Sequence, residues 1–279
     1  MSRLKTEFFN FMPFHWTYED EKDGDIKQNV IRTYGWNEKN ESVYCFITDF
    51  DIPIWFELPD DKEWTESLIQ RVLLQLKNVH CKEGNKPTTI KHVYKEKLYY
   101  ANIEKTKEGY KNKKYSFIEV SFRNLEAISF FVASLKRKPL YVPGVGEVIL
   151  KAHTAEGSIT PVLKLLAIAN LPSSSWIKCK GICIPEEDKT STKMHEYRVS
   201  YKDMVKLPDE ECMKMPIVYP TIMSFDNEAY SSVSGSMPNA NNPKDKVFMI
   251  GFTILTQKVK TKNIKSICYL LQILMMLKV

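Results

Sequence analysis

The chain has 279 residues, 43% of them hydrophobic, with 40 Lys and Arg against 34 Asp and Glu for a net charge of +6. That length and apolar content supply a core for one large domain or two ordinary ones and exclude a disordered chain, while the charge is mild for a nucleic-acid binder but allows one. Six scattered cysteines (Cys45, Cys81, Cys179, Cys183, Cys212, Cys268) and an N-terminus, MSRLKTEFFNF, without an apolar signal segment argue against a secreted disulfide framework and for a reducing intracellular compartment.

Ile26 to Leu58 reads as a small antiparallel meander: NVIRTYGWN, ESVYCFITDF and DIPIWFELP are rich in Val, Ile, Tyr, Phe and Trp and punctuated by Asn, Gly and Pro. The period then changes. In DDKEWTESLIQRVLLQLKNV, Trp64, Leu68, Ile69, Val72, Leu73 and Leu76 recur three and four apart behind a run of acids, which predicts a core-facing helix over 62–79. Residues 91–102 and 115–122 read as strands, and Asn124 caps a second helix whose apolar positions are Leu125, Ile128, Phe131, Val132 and Leu135. KPLYVPGVGE is a turn followed by the strand EVILKAH; because Gly144 and Gly146 precede a strand and not a helix, they do not form a phosphate-cradling loop. Thr160-Pro161 opens a short helix that ends near Asn170. Residues 197–202 add a strand, and KLPDEECMKMP, polar and bounded by Pro208 and Pro216, reads as a linker with a domain boundary near residue 215. Beyond it come a buried strand ending in Asp226 and Glu228, the polar loop SSVSGSMPNANNPKDK and the strand VFMIGFTIL.

The positive charge is concentrated. Between Lys82 and Lys114 stand ten lysines against four glutamates, interleaved with Tyr94, Tyr99, Tyr100 and Tyr110. Two readings fit: a DNA-binding surface of phosphate-tracking lysines and a stacking platform (Lys91, Lys95, Lys97, Tyr99, Lys111, Lys113, Lys114), or a solvated hairpin whose lysines guard an exposed strand edge.

Two acids spaced by one residue on a strand share a face, about 7 Å apart, and can hold a divalent cation between them. Asp226/Glu228 has that spacing, but so do Asp49/Asp51, Glu186/Asp188 and Asp209/Glu211, and spacing alone does not choose among them. Cys179 and Cys183 in CKGIC lack a second Cys/His pair and read as buried or half-buried thiols, not a zinc site.

MSFDNEAYSS resembles the first exonuclease motif of the family B DNA polymerases, most closely those of large nucleocytoplasmic DNA viruses, and PKDKVFMIGF resembles the strand that follows it. Upstream, PVLKLLAIANLPSSSWIKC, with Trp176 as its fixed point, and ITDFDIPIWFELPDD resemble segments of the same family's N-terminal domain, so ordered matches span 43–254. The resemblance implies an α+β fold: a β-rich N-terminal domain over 1–215, the first strands of an RNase H-like 3'–5' exonuclease over 216–257, and an atypical basic and apolar tail over 258–279. By resemblance Asp226 and Glu228 are both catalytic and metal-binding, Asp226 bridging two Mg²⁺ (or Mn²⁺) ions and Glu228 holding one, for hydrolysis of the terminal 3' phosphodiester. By the same resemblance Asp49/Asp51 falls where the family has an ordinary strand corner and is expected to be structural. Asn227 stands where the family has isoleucine and is expected to face the packed interior.

After Glu228 the sequence holds one further acid, Asp245, and no polymerase palm carboxylates, so the expectation is an N-terminal fragment of a DNA-directed DNA polymerase for viral replication, inactive alone. The alternative is a non-enzymatic DNA-binding or polymerase-docking module; a stand-alone metal nuclease suffers from the shortage of acids. Expected partners are primer-template or single-stranded DNA, the remainder of the polymerase and a processivity factor, at a host nuclear or cytoplasmic viral replication site. No membrane is expected, because the apolar run from Ile267 is too short to cross one. The tail itself reads as a frameshifted or truncated end forming an amphipathic helix over an exposed sheet edge.

Overall fold

The structure, a computed structural model, describes residues 5–24, 26–59, 62–79, 81, 84–97, 103–152, 159–258 and 261–270. Two compact units emerge, Met1–Met215 and Pro216–Val279.

The first unit begins with a strand that the sequence reading left unassigned. Strand β1 (Thr6–Asp23) pairs antiparallel with β2 (Ile26–Asn37), and β2 with β3 (Ser42–Ile47). Period-two alternation sorts the side chains of β2: Ile31 and Thr33 are buried, whereas Arg32, Tyr34 and Trp36 point to the other face and stay half-exposed. Gly35 lies on the buried side because β1 bends against it; a Cβ there would sit 2.1 Å from the Met12 carbonyl oxygen, beside the irregularity between Pro13 and His15.

After β3 the chain leaves this sheet. β4 (Ile52–Glu57) was expected as the third strand of the meander but pairs instead in a separate lobe. That lobe comprises β4, α1 (Glu66–Lys77), β5 (Thr89–Glu96), β6 (Ile103–Thr106), β7 (Gly109–Asn112), β8 (Lys114–Phe122), α2 (Leu125–Arg137), β9 (Leu140–Val142), β10 (Gly146–Val148) and β11 (Lys151–Ala152). Its main sheet has the order β11-β4-β8-β5, while β6 with β7 and β9 with β10 form separate hairpins. Ile69, Val72 and Leu76 of α1 and Ala127, Phe131 and Leu135 of α2 meet Ile54, Phe56, Ile118, Val120 and Phe122 of the sheet in one core. The caps set the helix starts: Thr65 Oγ1 accepts from Leu68 N, so residues 62–64 precede α1, and Asn124 Oδ1 accepts from Ala127 N at 2.8 Å.

The chain then returns through α3 (Pro161–Ile168), β12 (Ile177–Cys183) and β13 (His195–Lys206). β12 pairs antiparallel with β1 and β13, and β13 runs parallel to β3 from His195↔Val43, which closes a five-stranded barrel in the order β1-β12-β13-β3-β2. Val162, Leu165 and Leu166 of α3 join Phe11, Ile31, Val43, Cys45, Ile47, Ile177, Cys179 and Val199 in the barrel core. A five-stranded Greek-key barrel of this kind is an oligonucleotide/oligosaccharide-binding (OB) architecture. The expected linker contains a short helix, α4 (Asp209–Cys212), because Pro208 leaves the next residues free to turn and its carbonyl accepts from Glu211 and Cys212 N.

The second unit is a three-stranded antiparallel sheet, β14 (Ile222–Tyr230), β15 (Lys246–Lys258) and β16 (Thr261–Leu270), in that order. Three expectations are corrected here. The tail forms a strand over 261–270, not a helix, pairing antiparallel with β15 from Lys258↔Thr261 to Met249↔Leu270. β14 is not buried; it is an edge strand with Ile222, Met223, Phe225 and Tyr230 each more than half exposed. Asn227 is likewise exposed and not in a packed interior, since no described helix of this unit covers either face.

Candidate functional site

Asp226 and Glu228 lie opposite Gly251 and Met249 of β15, and the register is regular until the bulge after Glu228, so both carboxylates project from the same face. Gly251 contributes no side chain beside Asp226, which leaves that carboxylate open on its inner flank. Both are exposed, and among the described residues neither is ion-paired; Asp226 Oδ1 accepts only from its neighbour's backbone, Asn227 N, at 2.9 Å.

Asp245 belongs to a different device. Its Oδ1 accepts from Ser232 N (2.8 Å), Ser232 Oγ (2.6 Å) and Asn242 Nδ2 (3.0 Å), and its Oδ2 from Asn239 N (2.8 Å). Those bonds, first the Ser232 hydroxyl, hold its carboxyl below the ordinary range and staple the loop between β14 and β15. Among the described residues no group of three or more His, Cys, Asp and Glu is arranged to hold a metal. Asp226 and Glu228 alone fit Mg²⁺ or Mn²⁺ as hard oxygen donors, in the manner of sites that use one or two carboxylates together with substrate phosphates and water.

Members of each rival acid pair have structural duties. Asp49 accepts from Ser200 Oγ (2.6 Å) and Tyr201 N (3.2 Å), latching the β3–β4 corner onto β13. Asp209 pairs with Lys206 at 3.0 Å, and Glu186 with Lys189. Cys179 is buried in the barrel and its thiol is pushed well up by desolvation; Cys183 is half-buried.

Three of the lysines named for DNA are held by carboxylates: Lys91 by Glu119 (2.8 Å), Lys97 by Glu57, and Lys111 by Glu108 (2.9 Å). Lys95 stands over the Trp55 ring at 4.3 Å and Lys113 over Tyr115 at 5.0 Å; Lys114 is exposed at the start of β8. Tyr99 lies outside the described residues. β5 is an edge strand and β6–β7 an exposed hairpin, so part of this charge guards an edge. A second feature went unremarked in the sequence. On the barrel, Tyr34 and Tyr44 stack with ring centroids 4.9 Å apart and Phe46 follows at 6.0 Å from Tyr44. The outward Tyr34 and Tyr44/Phe46 alternation was a signal for it, but not for which strands adjoin.

Residues 152–275 match the model for the exonuclease domain of DNA polymerase family B, a range that starts within the first unit and runs through most of the tail. DNA polymerase 120R of Invertebrate iridescent virus 3 is 28% identical over 257 residues, covering 89% of this chain and 22% of the relative. The DNA polymerase of Acanthamoeba polyphaga mimivirus is 26% identical over 89% of this chain and 14% of its own length. The fold matches the family B DNA polymerase from the hyperthermophilic archaeon Pyrobaculum calidifontis with a TM-score of 0.58 at 12% identity, over 92% of this chain and 26% of that one. The chain is similar to the family B DNA polymerases over most of its length, and it spans about a fifth of the length of the iridescent virus relatives it matches. Among the described residues no helix is long and apolar enough to cross a membrane.

Proposed function

We propose that this chain provides the N-terminal domain (1–215) and the opening strands (216–257, extended by β16 over 261–270) of a proofreading 3'–5' exonuclease in a viral DNA-directed DNA polymerase, acting at the viral replication site. The observation that supports this reading is the Asp226/Glu228 pair on one face of β14, unpaired with any described cation, inside the range matched by the exonuclease-domain family. In that role Asp226 and Glu228 would hold a divalent metal, which would supply charge neutralisation and water activation for phosphodiester hydrolysis. What the residues themselves do is present two negative oxygens on an open strand with glycine beside them, and Asp245 is already committed to its loop. The polypeptide by itself therefore binds metal weakly and turns over no substrate; the rest of the polymerase and a processivity factor are its partners. Lys95, Lys113 and Lys114 retain a part in DNA binding, with Lys91, Lys97 and Lys111 contributing less because carboxylates already hold them.

The test is hydrolysis of 3'-end-labelled single-stranded DNA with Mg²⁺ or Mn²⁺, together with Mn²⁺ binding followed by electron paramagnetic resonance. No turnover is expected, with weak Mn²⁺ binding lost in Asp226→Ala and in Glu228→Ala. Hydrolysis abolished by Asp226→Ala would overturn the inactive reading, and Mn²⁺ binding indifferent to both substitutions would remove the metal role.

A further inference from the structure

The face of the barrel built by β2, β3 and β13 carries a groove of about 730 Å³ that has no part in the exonuclease reading. Its floor is aromatic: Tyr34 stacked on Tyr44, then Phe46, with the Arg198 guanidinium 5.3 Å above the Phe46 ring. One wall is Arg32, whose Nε donates to Tyr44 Oη at 3.0 Å and whose guanidinium is paired with Glu21. The other wall is the β12–β13 loop, from Ile184 to Ser191.

The groove's acids are mostly spent. Glu21 is taken by Arg32, and Glu196, 1% exposed, is taken by the Thr190 and Ser191 backbone N–H groups and the Thr190 hydroxyl, with Asp188 left exposed on the loop. Arg198 is exposed and, among the described residues, has no carboxylate partner. A strip of ring faces with a planar cation at its end, and little net positive charge around it, suits the π-face of an unpaired base better than a run of phosphates. The strand 2–3 face and the loop between strands 4 and 5 are also where OB barrels take oligonucleotides.

We infer that this groove is a second nucleic-acid site, separate from the lysine-rich lobe, which binds unpaired bases of single-stranded DNA by stacking on Tyr34 and Phe46 and on Arg198. The inference rests on the polymerase reading only for the choice of DNA as the strand.

The test uses the full chain and three fluorescent probes: a short oligothymidylate, an abasic strand of the same length and charge, and a duplex, each followed by anisotropy. Oligothymidylate is expected to bind severalfold more tightly than the other two. Tyr34→Ala and Arg198→Ala should each weaken it about tenfold, the scale of one lost stacking contact, and leave the abasic strand unchanged. Tyr34→Trp should restore binding, which guards against loss of fold in the alanine variant, and Arg198 is at the surface. Neutralising Lys95, Lys113 and Lys114 should weaken all three probes alike. Equal affinity for the abasic strand, or indifference to both Tyr34→Ala and Arg198→Ala, would overturn the site; if lysine-dependent binding persists, the polymerase reading stands. Failure to bind any probe would count against both.

Discussion

Glu196→Ala offers a quantitative trial of how the barrel holds the loop over its groove. The carboxylate is 1% exposed and accepts from Thr190 N (3.1 and 3.2 Å to its two oxygens), Thr190 Oγ1 (2.9 Å) and Ser191 N (2.9 Å). Hydrogen bonds to an ionised acceptor are worth roughly 1.5–3 kcal/mol each when both partners are sequestered. Here the donors sit on a partly exposed loop, where water replaces most of what they lose, so the net cost is about 2–4 kcal/mol. In a unit of this size that corresponds to a fall in Tm of very roughly 4–16 °C. Glu196→Gln, which keeps one accepting oxygen, should lose about half as much. Thermal melts followed by circular dichroism measure the loss, and limited proteolysis should cut between Pro185 and Met194 faster in the variant. Burial works against ionisation of Glu196, but the Ser191 and Thr190 bonds outweigh it and lower its pKa. Its folded value lies below its unfolded one, so the contribution is complete above about pH 4.3 and disappears as pH falls through the depressed value. A Glu196→Ala variant within about 0.5 kcal/mol of the parent at neutral pH would refute this account of the loop.

Asn124→Ala should cost about 1–3 kcal/mol in urea titrations, because the fully buried side chain both caps α2 and donates to the Lys27 carbonyl at 2.9 Å. Gly35→Ala should destabilise the barrel by several kcal/mol or abolish soluble expression, since the new Cβ meets the Met12 backbone and not a movable side chain; a normal melt would contradict the close approach. Asp245 has its pKa lowered by the Ser232 bonds, so the loop it staples should stay ordered above about pH 4 and open as pH falls through the depressed value, read by amide exchange over 231–245.

The elements legible in the chain were those whose signals are local. Thr160 and Asn124 announced their helices, and the apolar spacing of Ile69, Val72 and Leu76 gave the buried face of α1, because caps and a 3.6-residue period act within a few residues. That Asp226 and Glu228 share a face was legible in the same way, since it needs only a strand, but the spacing did not single them out from Asp49/Asp51, Glu186/Asp188 and Asp209/Glu211. Less local features were misjudged. β4 continues the alternation of β2 and β3 and so looked like their neighbour, but its partners, β8 and β11, come far later in the chain. The lysines of 91–114 read as one patch until Glu57 and Glu119, on other strands, were found holding two of them.

The sequence by itself determined the period of most segments, the capped starts of α2 and α3, and that two carboxylates would lie side by side on a strand ahead of a polar loop. Only the tertiary structure decided that β13 returns to run parallel with β3 and close a barrel, that Tyr34 from one strand stacks on Tyr44 from the next, and that β14 lies exposed at an edge. The reason is the range over which the interactions act. Backbone periodicity and capping are settled between neighbours, whereas strand partners, ion pairs and burial depend on residues brought together from about 150 positions away, as Val43 and His195 are.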